Sequence, residues 1–198
     1  MIAHLRGTIL EKHPNQVIVD AGGVGYDVTI PIATFSALPA AGAEVQLRIH
    51  THVREDAISL YGFLTAEEKT LFEKLIGISG IGPKLAVTVL SGLPTADLIA
   101  SIRQGQVEQL VRIPGVGKKT AERIILELRD KLDILGAGAA AAAPETVAST
   151  ALDQDVLSAL INLGCSRSAA EAAVRKAGSE GPAEGFEPFF RRALELIR

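Results

Sequence analysis

The pattern of apolar and polar positions divides the chain into parts with different periods. In residues 1–63 apolar side chains alternate with other residues, which is the period of a β-strand. Clusters of Gly, Pro and Asn interrupt the alternation and predict turns at residues 13–15, 21–23 and 39–42. About five strands of this length form a small closed barrel, so the pattern predicts a barrel of the OB type. The alternating positions include Val24, Tyr26, Val28, Ile30, Leu47, Ile49, Thr51 and Val53.

In residues 64–135 the apolar side chains recur at the spacing of an α-helix. Thr65 and Glu68 have the spacing of a capping box, which predicts that the first helix begins there. Thr95 is expected to cap a later helix. The longest helix is predicted from about Lys118 to Leu132.

Two further parts follow the helical region. Residues 136–150 are rich in Ala and are flanked by Gly and Pro, a composition typical of a flexible linker. Residues 151–198 contain three short stripes of apolar residues at helical spacing. The chain is therefore predicted to be α+β and multidomain. We expect an OB-type barrel in 1–63, a helical domain in 64–135, a linker in 136–150 and a small three-helix domain in 151–198.

A short pattern occurs twice within the helical region. Residues 78–86 read Ile-Ser-Gly-Ile-Gly-Pro-Lys-Leu-Ala, and residues 113–121 read Ile-Pro-Gly-Val-Gly-Lys-Lys-Thr-Ala. The copies are 35 residues apart and have the same residue at five of nine positions. Each copy follows one helical stretch and opens another. Each therefore predicts a helix, a tight Gly-x-Gly turn and a second helix.

These turns are candidate phosphate sites. Gly permits positive φ and a close approach to a ligand, and the first amides of a helix have no partner within it. Together with the helix dipole they form an anion site, and a basic residue beside each turn indicates phosphate. Two sites in tandem indicate a phosphate chain. The alternative is a turn that only joins two packed helices, in a protein that serves as an assembly scaffold. The predicted binding residues are Gly80, Gly82, Lys84, Gly115, Gly117, Lys118, Lys119 and Arg123.

Composition and charge restrict the mode of binding. The 198 residues carry a net charge of −3, which argues against a protein that coats DNA along its length. Only residues 64–135 are net positive, with ten basic and nine acidic residues, so attraction to phosphate has to be local. Aromatic residues make up 4% of the chain and Trp is absent, so base stacking is not expected to dominate. A scaffold role is therefore expected for the barrel.

Cysteine usage and hydropathy predict the compartment. The single cysteine, Cys165, excludes an internal disulfide and fits a reducing cytosol. No basic-plus-apolar signal region begins the sequence, and no apolar run reaches the ~18 residues that a membrane span needs. We therefore expect a cytoplasmic protein without a membrane segment.

No catalytic residue, metal site or cofactor is predicted. Residues 117–120 resemble part of a nucleotide-binding P-loop, but Arg112 stands where that loop needs Gly, and Lys119 stands where it needs Ser or Thr. His50 and His52 share a strand face without a third ligand nearby and are expected to be ordinary barrel side chains. No carboxylate cluster suits a two-metal nuclease. The alternative is a nuclease or glycosylase that uses the paired turns to hold its substrate.

Three segments carry a family resemblance. They are Met-Ile-Ala-His-Leu-Arg-Gly-Thr-Ile-Leu-Glu-Lys at 1–12, Arg-Glu-Asp-Ala-Ile-Ser-Leu-Tyr-Gly-Phe at 54–63 and Ile-Pro-Gly-Val-Gly-Lys-Lys-Thr-Ala-Glu-Arg-Ile-Ile-Leu-Glu-Leu at 113–128. The paired turns resemble tandem helix-hairpin-helix motifs, which hold DNA by its backbone. Together these features resemble the RuvA family, the Holliday-junction-binding subunit of a branch-migration machine. The resemblance is close over residues 1 to about 135 and looser beyond them.

The resemblance implies a non-catalytic protein of DNA recombination and repair. Such a protein recognises the shape of a four-way junction, which it holds open and square. Taken alone, the Arg54-Glu55-Asp56 segment is interpreted as a solvated hairpin turn. The resemblance instead implies that Glu55 and Asp56 form an acidic pin, which projects into the junction centre and keeps the strands apart.

The resemblance also implies partners. Residues 151–198 would bind the RuvB motor, which would hydrolyse ATP, and the RuvC resolvase is a further candidate partner. Four subunits around a four-fold axis would match the four arms, and the sequence leaves open whether one tetramer or two hold the junction. Cys165 follows Leu163 and Gly164, where an aromatic residue is common in the family. We therefore expect the motor-binding surface to differ in detail from the family pattern.

Overall fold

The computed structural model describes residues 1–132, 151–179 and 185–197. Within these ranges the chain forms five strands and nine helices. Contacts divide it into two compact units, Met1–Ala141 and Ala142–Arg198. The predicted linker, residues 136–150, lies outside the described residues.

Five strands of the first unit close into a barrel. The strand order is β1-β2-β3-β5-β4, and β4 pairs with β1 to complete the circle. Neighbours are antiparallel except β3 and β5, which run parallel over two residue pairs. The buried centre is aliphatic and includes Ile9, Val17, Val28, Leu47 and Ile49. The predicted OB-type barrel is confirmed. The strands are β1 (His4–His13), β2 (Gln16–Ala21), β3 (Val24–Thr29), β4 (Glu44–Val53) and β5 (Ile58–Phe63).

The alternation located β3 and β4 correctly, but it does not mark burial along their whole length. Val28 is fully buried, whereas Val24 on the same strand is 54% exposed. Val53, at the end of β4, is 66% exposed. Both residues adjoin turns, where the hairpin extends beyond the neighbouring strands that would cover it. An irregularity in the pairing between Ile9 and Glu11 similarly leaves Leu10 half-exposed.

A short helix, α1 (Ile32–Ala37), connects β3 to β4 and was not predicted. Its N-cap is Pro31, which makes no side-chain capping bond. Tertiary contacts hold it instead. The Ile32 amide donates to Ser91 Oγ at 3.0 Å, and the buried Thr34 hydroxyl donates to Glu68 Oε2 at 3.3 Å. The helix depends on residues more than thirty positions away, which a local pattern does not reveal.

Five helices complete the first unit. The predicted capping box is confirmed, because Thr65 Oγ1 accepts a bond from the Glu68 amide while the Glu68 side chain accepts from Thr65 N. Thr95 does not cap a helix. It is the first residue of its helix and Pro94 occupies the cap position, because the fixed φ of proline suits the chain just before a helix. The helices are α2 (Ala66–Ile76), α3 (Pro83–Gly92), α4 (Thr95–Arg103), α5 (Val107–Val111) and α6 (Lys118–Leu132).

The barrel and these helices share strand β5. Leu60 points into the barrel core, whereas Tyr61 and Phe63 belong to the helical core. The Phe72 ring on α2 stacks on Tyr61 with centroids 5.1 Å apart and lies 5.0 Å from Phe63. One strand therefore forms a wall of both hydrophobic cores.

The second unit contains the three expected helices. They surround a core of small and aromatic side chains that includes Val156, Ala173 and Phe189. The buried face of α8 consists mostly of small side chains, Ala170, Ala173 and Ala177. The helices are α7 (Ala151–Asn162), α8 (Arg167–Ser179) and α9 (Phe186–Glu195).

None of the described helices is by itself long and apolar enough to cross a membrane. Helices α3 and α4 reach that length and hydropathy only when taken together, and they are bent by 98°.

Candidate nucleic-acid interface

The first Gly-x-Gly turn forms a compact hairpin between α2 and α3. The Ile78 amide donates to the Leu75 carbonyl at 3.1 Å, and the Ile81 amide donates to the Ile78 carbonyl at 3.0 Å. Gly80 has φ of +88°, a conformation that glycine adopts without strain. The chain then enters α3 with Pro83 at its first position, where no amide donor is needed.

The second turn, between α5 and α6, repeats this geometry. The Ile113 amide donates to the Leu110 carbonyl at 3.1 Å, and the Val116 amide donates to the Ile113 carbonyl at 3.0 Å. Gly115 has φ of +81°. The sequence repeat is therefore also a repeat of backbone conformation, as two helix-hairpin-helix motifs require.

Each hairpin has a buried side and an open side. The apolar anchors Ile78, Ile81, Ile113 and Val116 are buried in the helical core. The glycines of the turns and the lysines that follow them are exposed. A Cβ at Gly82 or Gly117 would meet no atom within 4 Å, so the chain is open to an approaching ligand at both positions. The exposed residues are Gly80, Gly82, Lys84, Gly115, Gly117, Lys118 and Lys119.

The open sides present hydrogen-bond donors and positive charge. The first intrahelical bonds here are those from Ala86 to the Gly82 carbonyl and from Ala121 to the Gly117 carbonyl, at 3.0 and 2.9 Å. Amides before Ala86 and Ala121 lie at the positive ends of the two helix dipoles. Within the described ranges, no acidic side chain forms an ion pair with the lysines beside them, Lys84, Lys118 and Lys119. Their charges are therefore available to an external anion.

The two hairpins meet at a small pocket of about 90 Å³. The predicted binding residues Gly80, Lys119 and Arg123 line it, together with Ser79 and Thr120. Arg123 Nη1 donates to the Ser79 carbonyl at 2.6 Å, so this side chain already has a partner within the protein. The sequence did not predict Ser79 and Thr120 as part of this site, although both lie inside the repeated motif. The pocket forms where the two copies of the motif meet, and neither copy alone indicates that position.

The acidic segment forms an exposed tip, as the sequence predicted. Val53 and Ile58 are the last paired residues of the β4–β5 hairpin, and the Arg54 amide donates to the Ala57 carbonyl at 2.8 Å to close the turn. Glu55 and Asp56 are exposed at its end. Neither carboxylate has a recorded ion-pair partner among the described residues, so both project negative charge into solvent.

The two histidines on β4 make structural contacts. His50 Nδ1 lies 3.2 Å from Glu73 Oε1, and the His50 ring contacts Phe72 edge-on at 5.3 Å. The His52 ring contacts Tyr61 edge-on at 6.4 Å. These contacts support the interpretation of both as ordinary side chains between the barrel and the helices. The described residues contain no group of three or more metal-ligating side chains.

The second unit has several exposed apolar side chains and a partly buried cysteine. Cys165 packs against the core of the three helices, following Gly164 with φ of +92°. Cys165 therefore contributes to packing at the α7–α8 corner. Leu163, next to this corner, is 63% exposed. The other exposed large apolar residues of this unit are Ile161, Phe186 and Leu194.

A closed five-stranded barrel is followed by two hairpins with the same backbone hydrogen bonds and the same positive-φ glycine. Together with the exposed lysines, this arrangement defines a class of proteins that bind a nucleic-acid backbone through tandem helix-hairpin-helix motifs. Comparison with known families gives the same division of the chain. Residues 1–62 match the model described as RuvA N terminal domain, and residues 72–130 match the SAM-like helix-hairpin-helix tandem.

Whole-chain relatives are also similar. Proteins named Holliday junction branch migration complex subunit RuvA are 67% identical over 198 residues in Solibacter usitatus and 58% identical over 202 residues in Acidobacterium capsulatum, and both comparisons cover 100% of each chain. In Syntrophotalea carbinolica a protein of the same name is 47% identical over 199 residues, covering 100% of this chain and 99% of the relative. The chain belongs to the RuvA family.

Proposed function

We propose that this protein binds four-way DNA junctions and holds them open and square for branch migration in recombination and repair. The observation that carries the proposal is the pair of equivalent hairpins, each with its amides and lysines on an exposed surface. Each subunit would hold one duplex arm by the phosphates along its minor groove. The proposed backbone contacts are Gly80, Gly82, Lys84, Gly115, Gly117, Lys118 and Lys119, and Arg123 belongs to the same surface.

The acidic tip supplies the second part of the proposed mechanism. Glu55 and Asp56 act as a pin at the junction centre, where their negative charge repels phosphates and keeps the separated strands apart. Both carboxylates are exposed, and neither forms an ion pair with another described residue. This supports the role, because a neutralised carboxylate would repel phosphate less. The hairpins attract the duplex arms, and the tip repels the phosphates at the crossover. Together they favour binding of a junction over binding of a straight duplex.

The remaining assignments concern partners. The three-helix unit within residues 151–198 recruits the RuvB motor, and its exposed apolar residues offer the contact surface. ATP hydrolysis belongs to that motor, and this chain contributes binding but no catalytic group. Four subunits surround the junction as a homotetramer, in one or two layers, because cyclic symmetry then matches four equivalent arms. RuvC resolvase is a further proposed partner of the complex.

A gel-shift comparison tests the shape preference. The full-length protein is titrated against a synthetic four-way junction and against a linear duplex of equal length. We expect tighter binding to the junction, and equal affinity for the two would refute the proposed specificity. Incubation of the junction with protein and Mg²⁺ tests the absence of catalysis, because cleavage would favour a nuclease instead.

A pair of substitutions tests the role of the hairpins. Replacing Lys118 and Lys119 with Ala removes two proposed phosphate contacts. Each lost contact should lower the salt dependence of binding, the slope of log K against log salt, by about one unit. Unchanged binding would favour a protein in which the hairpins only pack helices.

A further inference from the structure

One side chain joins the two hairpins at their exposed surface. Arg123 lies on α6, the second helix of the second hairpin, and its Nη1 donates a 2.6 Å bond to the Ser79 carbonyl in the turn of the first hairpin. The two residues are 44 positions apart in the sequence. A Cβ on Gly80 would lie 3.5 Å from the same nitrogen, so the guanidinium packs directly against that turn.

This link does not follow from the repeat itself. At the offset of 35 residues, Arg123 corresponds to Thr88 in the first copy. The Thr88 hydroxyl donates to the Lys84 carbonyl at 3.0 Å, which is one turn back in its own helix. In the first copy the side chain at this position bonds within its own helix, whereas in the second copy it bonds to the other hairpin.

The two hairpins also approach each other closely at two apolar positions. A Cβ on Gly115 would lie 3.2 Å from Leu85 Cδ1 of α3, and a Cβ on Gly92 would lie 2.8 Å from Ile113 Cγ1. Both contacts are apolar and restrain position. The bond from Arg123 adds a directional restraint at the surface, because a hydrogen bond weakens steeply as its angle departs from linear.

The spacing of the hairpins matters if both hold one DNA arm. Two linked sites reinforce each other only when their separation matches that of the groups they bind. If the DNA had to order a flexible turn on binding, the entropy cost of that ordering would weaken the affinity for DNA. The Arg123 bond also occupies the Ser79 carbonyl, whose partial negative charge would otherwise face an approaching phosphate at the pocket.

We propose that Arg123 is a positioning residue, whose bond to Ser79 sets the spacing and orientation of the two hairpins so that both hold phosphates of one DNA arm. This inference rests on the function proposed above. It gives Arg123 a different role from Lys84, Lys118 and Lys119, which contact the phosphates themselves.

Three variants of the full-length protein separate positioning from direct contact. Arg123→Met removes every donor and keeps an unbranched stem. Arg129→Met makes the same charge change on an exposed residue of the same helix, outside the pocket between the hairpins. Lys119→Ala removes a proposed phosphate contact. Fluorescence anisotropy with a labelled synthetic junction gives Kd for each variant over a series of salt concentrations.

The variants are expected to differ in the salt slope. Arg123→Met should weaken binding about tenfold or more, the size expected for one hydrogen bond to a charged group, while keeping the wild-type slope. Lys119→Ala should lower the slope by about one unit. Arg129→Met should change neither quantity. A slope that falls by one unit in Arg123→Met would assign Arg123 to direct phosphate binding and overturn the proposal.

A measurement on the free protein gives a second, independent test. Amide hydrogen exchange of Ile81, whose N–H donates to the Ile78 carbonyl within the turn, should become faster in Arg123→Met and stay unchanged in Lys119→Ala, because only the first variant releases the turn. Unchanged exchange in Arg123→Met would also overturn the proposal. The proposed function itself is tested separately, on the wild-type protein. Equal affinity of the wild type for junction and linear duplex would refute that function, irrespective of the result for Arg123→Met.

Discussion

Two glycines of the second hairpin serve different purposes. Gly115 has a positive φ, and a Cβ there would lie 3.2 Å from Leu85 Cδ1. Gly117 has an ordinary φ and open space around it. The first glycine is needed by the fold, and the second is needed only if a ligand approaches the chain closely.

Substitution by alanine should separate these purposes. We expect Gly115→Ala to lower the free energy of unfolding by about 1–2 kcal/mol, the cost of a left-handed conformation for a residue with a Cβ. Gly117→Ala should leave stability within about 0.5 kcal/mol but weaken junction binding, because its methyl group would occupy the phosphate site. Thermal unfolding and anisotropy measure the two effects. Normal junction binding by Gly117→Ala would contradict a close phosphate approach at this turn.

An ion pair on the barrel surface gives a pH-dependent contribution to stability. Arg6 Nε donates to Glu44 Oε1 at 2.6 Å between paired strands β1 and β4. This hydrogen bond, aided by the charge of Arg6, lowers the pKa of Glu44 below its ordinary value. A carboxylate with a lowered pKa stabilises the fold fully above its unfolded-state pKa and loses that contribution as pH falls through its folded-state pKa.

The stability difference between wild type and Glu44→Gln should therefore shrink on acidification. Both side chains are more than half exposed, so the difference is expected to be small and to decrease with added salt. Thermal unfolding of both proteins from neutral to acidic pH measures it. Glu55→Gln is the control, because that exposed carboxylate has no ion-pair partner among the described residues. A difference that grows as pH falls would have the wrong sign for this pair.

At the scale of elements, the β4–β5 hairpin places charged residues at its exposed end, away from both hydrophobic cores. Its closing pair, Val53 and Ile58, is already largely exposed, and the four residues beyond it are exposed as well. Nothing in the fold requires carboxylates there. Their contribution is therefore expected in binding rather than in stability.

Neutralising the tip should relax the preference for junctions. In the double variant Glu55→Gln, Asp56→Asn, we expect affinity for linear duplex to rise by about two- to fivefold per charge, the range of exposed charge interactions. The ratio of junction to duplex affinity should fall, because the pin no longer disfavours a continuous duplex. Competition gel-shift measures this ratio. Arg54→Gln removes the opposite charge from the same tip and should weaken duplex binding; a gain with both variants would argue against repulsion.

The sequence predicted those elements whose signals are local. Alternation located β3 and β4, clusters of Gly, Pro and Asn located turns beside the strands, and a motif of nine residues located both hairpins. It missed α1, which has no side-chain cap and is held by Ser91 and Glu68 from distant helices. It also missed the bond between Arg123 and Ser79, because the contact joins two copies of the motif and neither copy alone specifies how they meet.

At the scale of the whole molecule, the two compact units have separate hydrophobic cores. The first unit contains the barrel, both hairpins and the tip, whereas the second contains only α7–α9 among the described residues. Binding of DNA and recruitment of a motor are therefore expected to be separable.

A chain shortened to residues 1–141 should bind a junction with an affinity within about twofold of the full-length protein, because it keeps every proposed phosphate contact. It should fail to support branch migration with RuvB. Anisotropy and a strand-displacement assay measure the two activities, and full-length protein in parallel is the control. Loss of junction binding on shortening would show that the second unit contributes to the DNA interface.

Strand β5 forms a wall of two cores, with Leu60 on one side and Tyr61 and Phe63 on the other. Melting the barrel removes that wall from the helices, and melting the helices uncovers Tyr61 and Phe63. The barrel and the hairpin region should therefore unfold as a single cooperative transition, and calorimetry of residues 1–141 should show one peak rather than two. Heating should therefore inactivate the surface that binds the DNA arms and the acidic tip at the same temperature, and neither should be lost before the other.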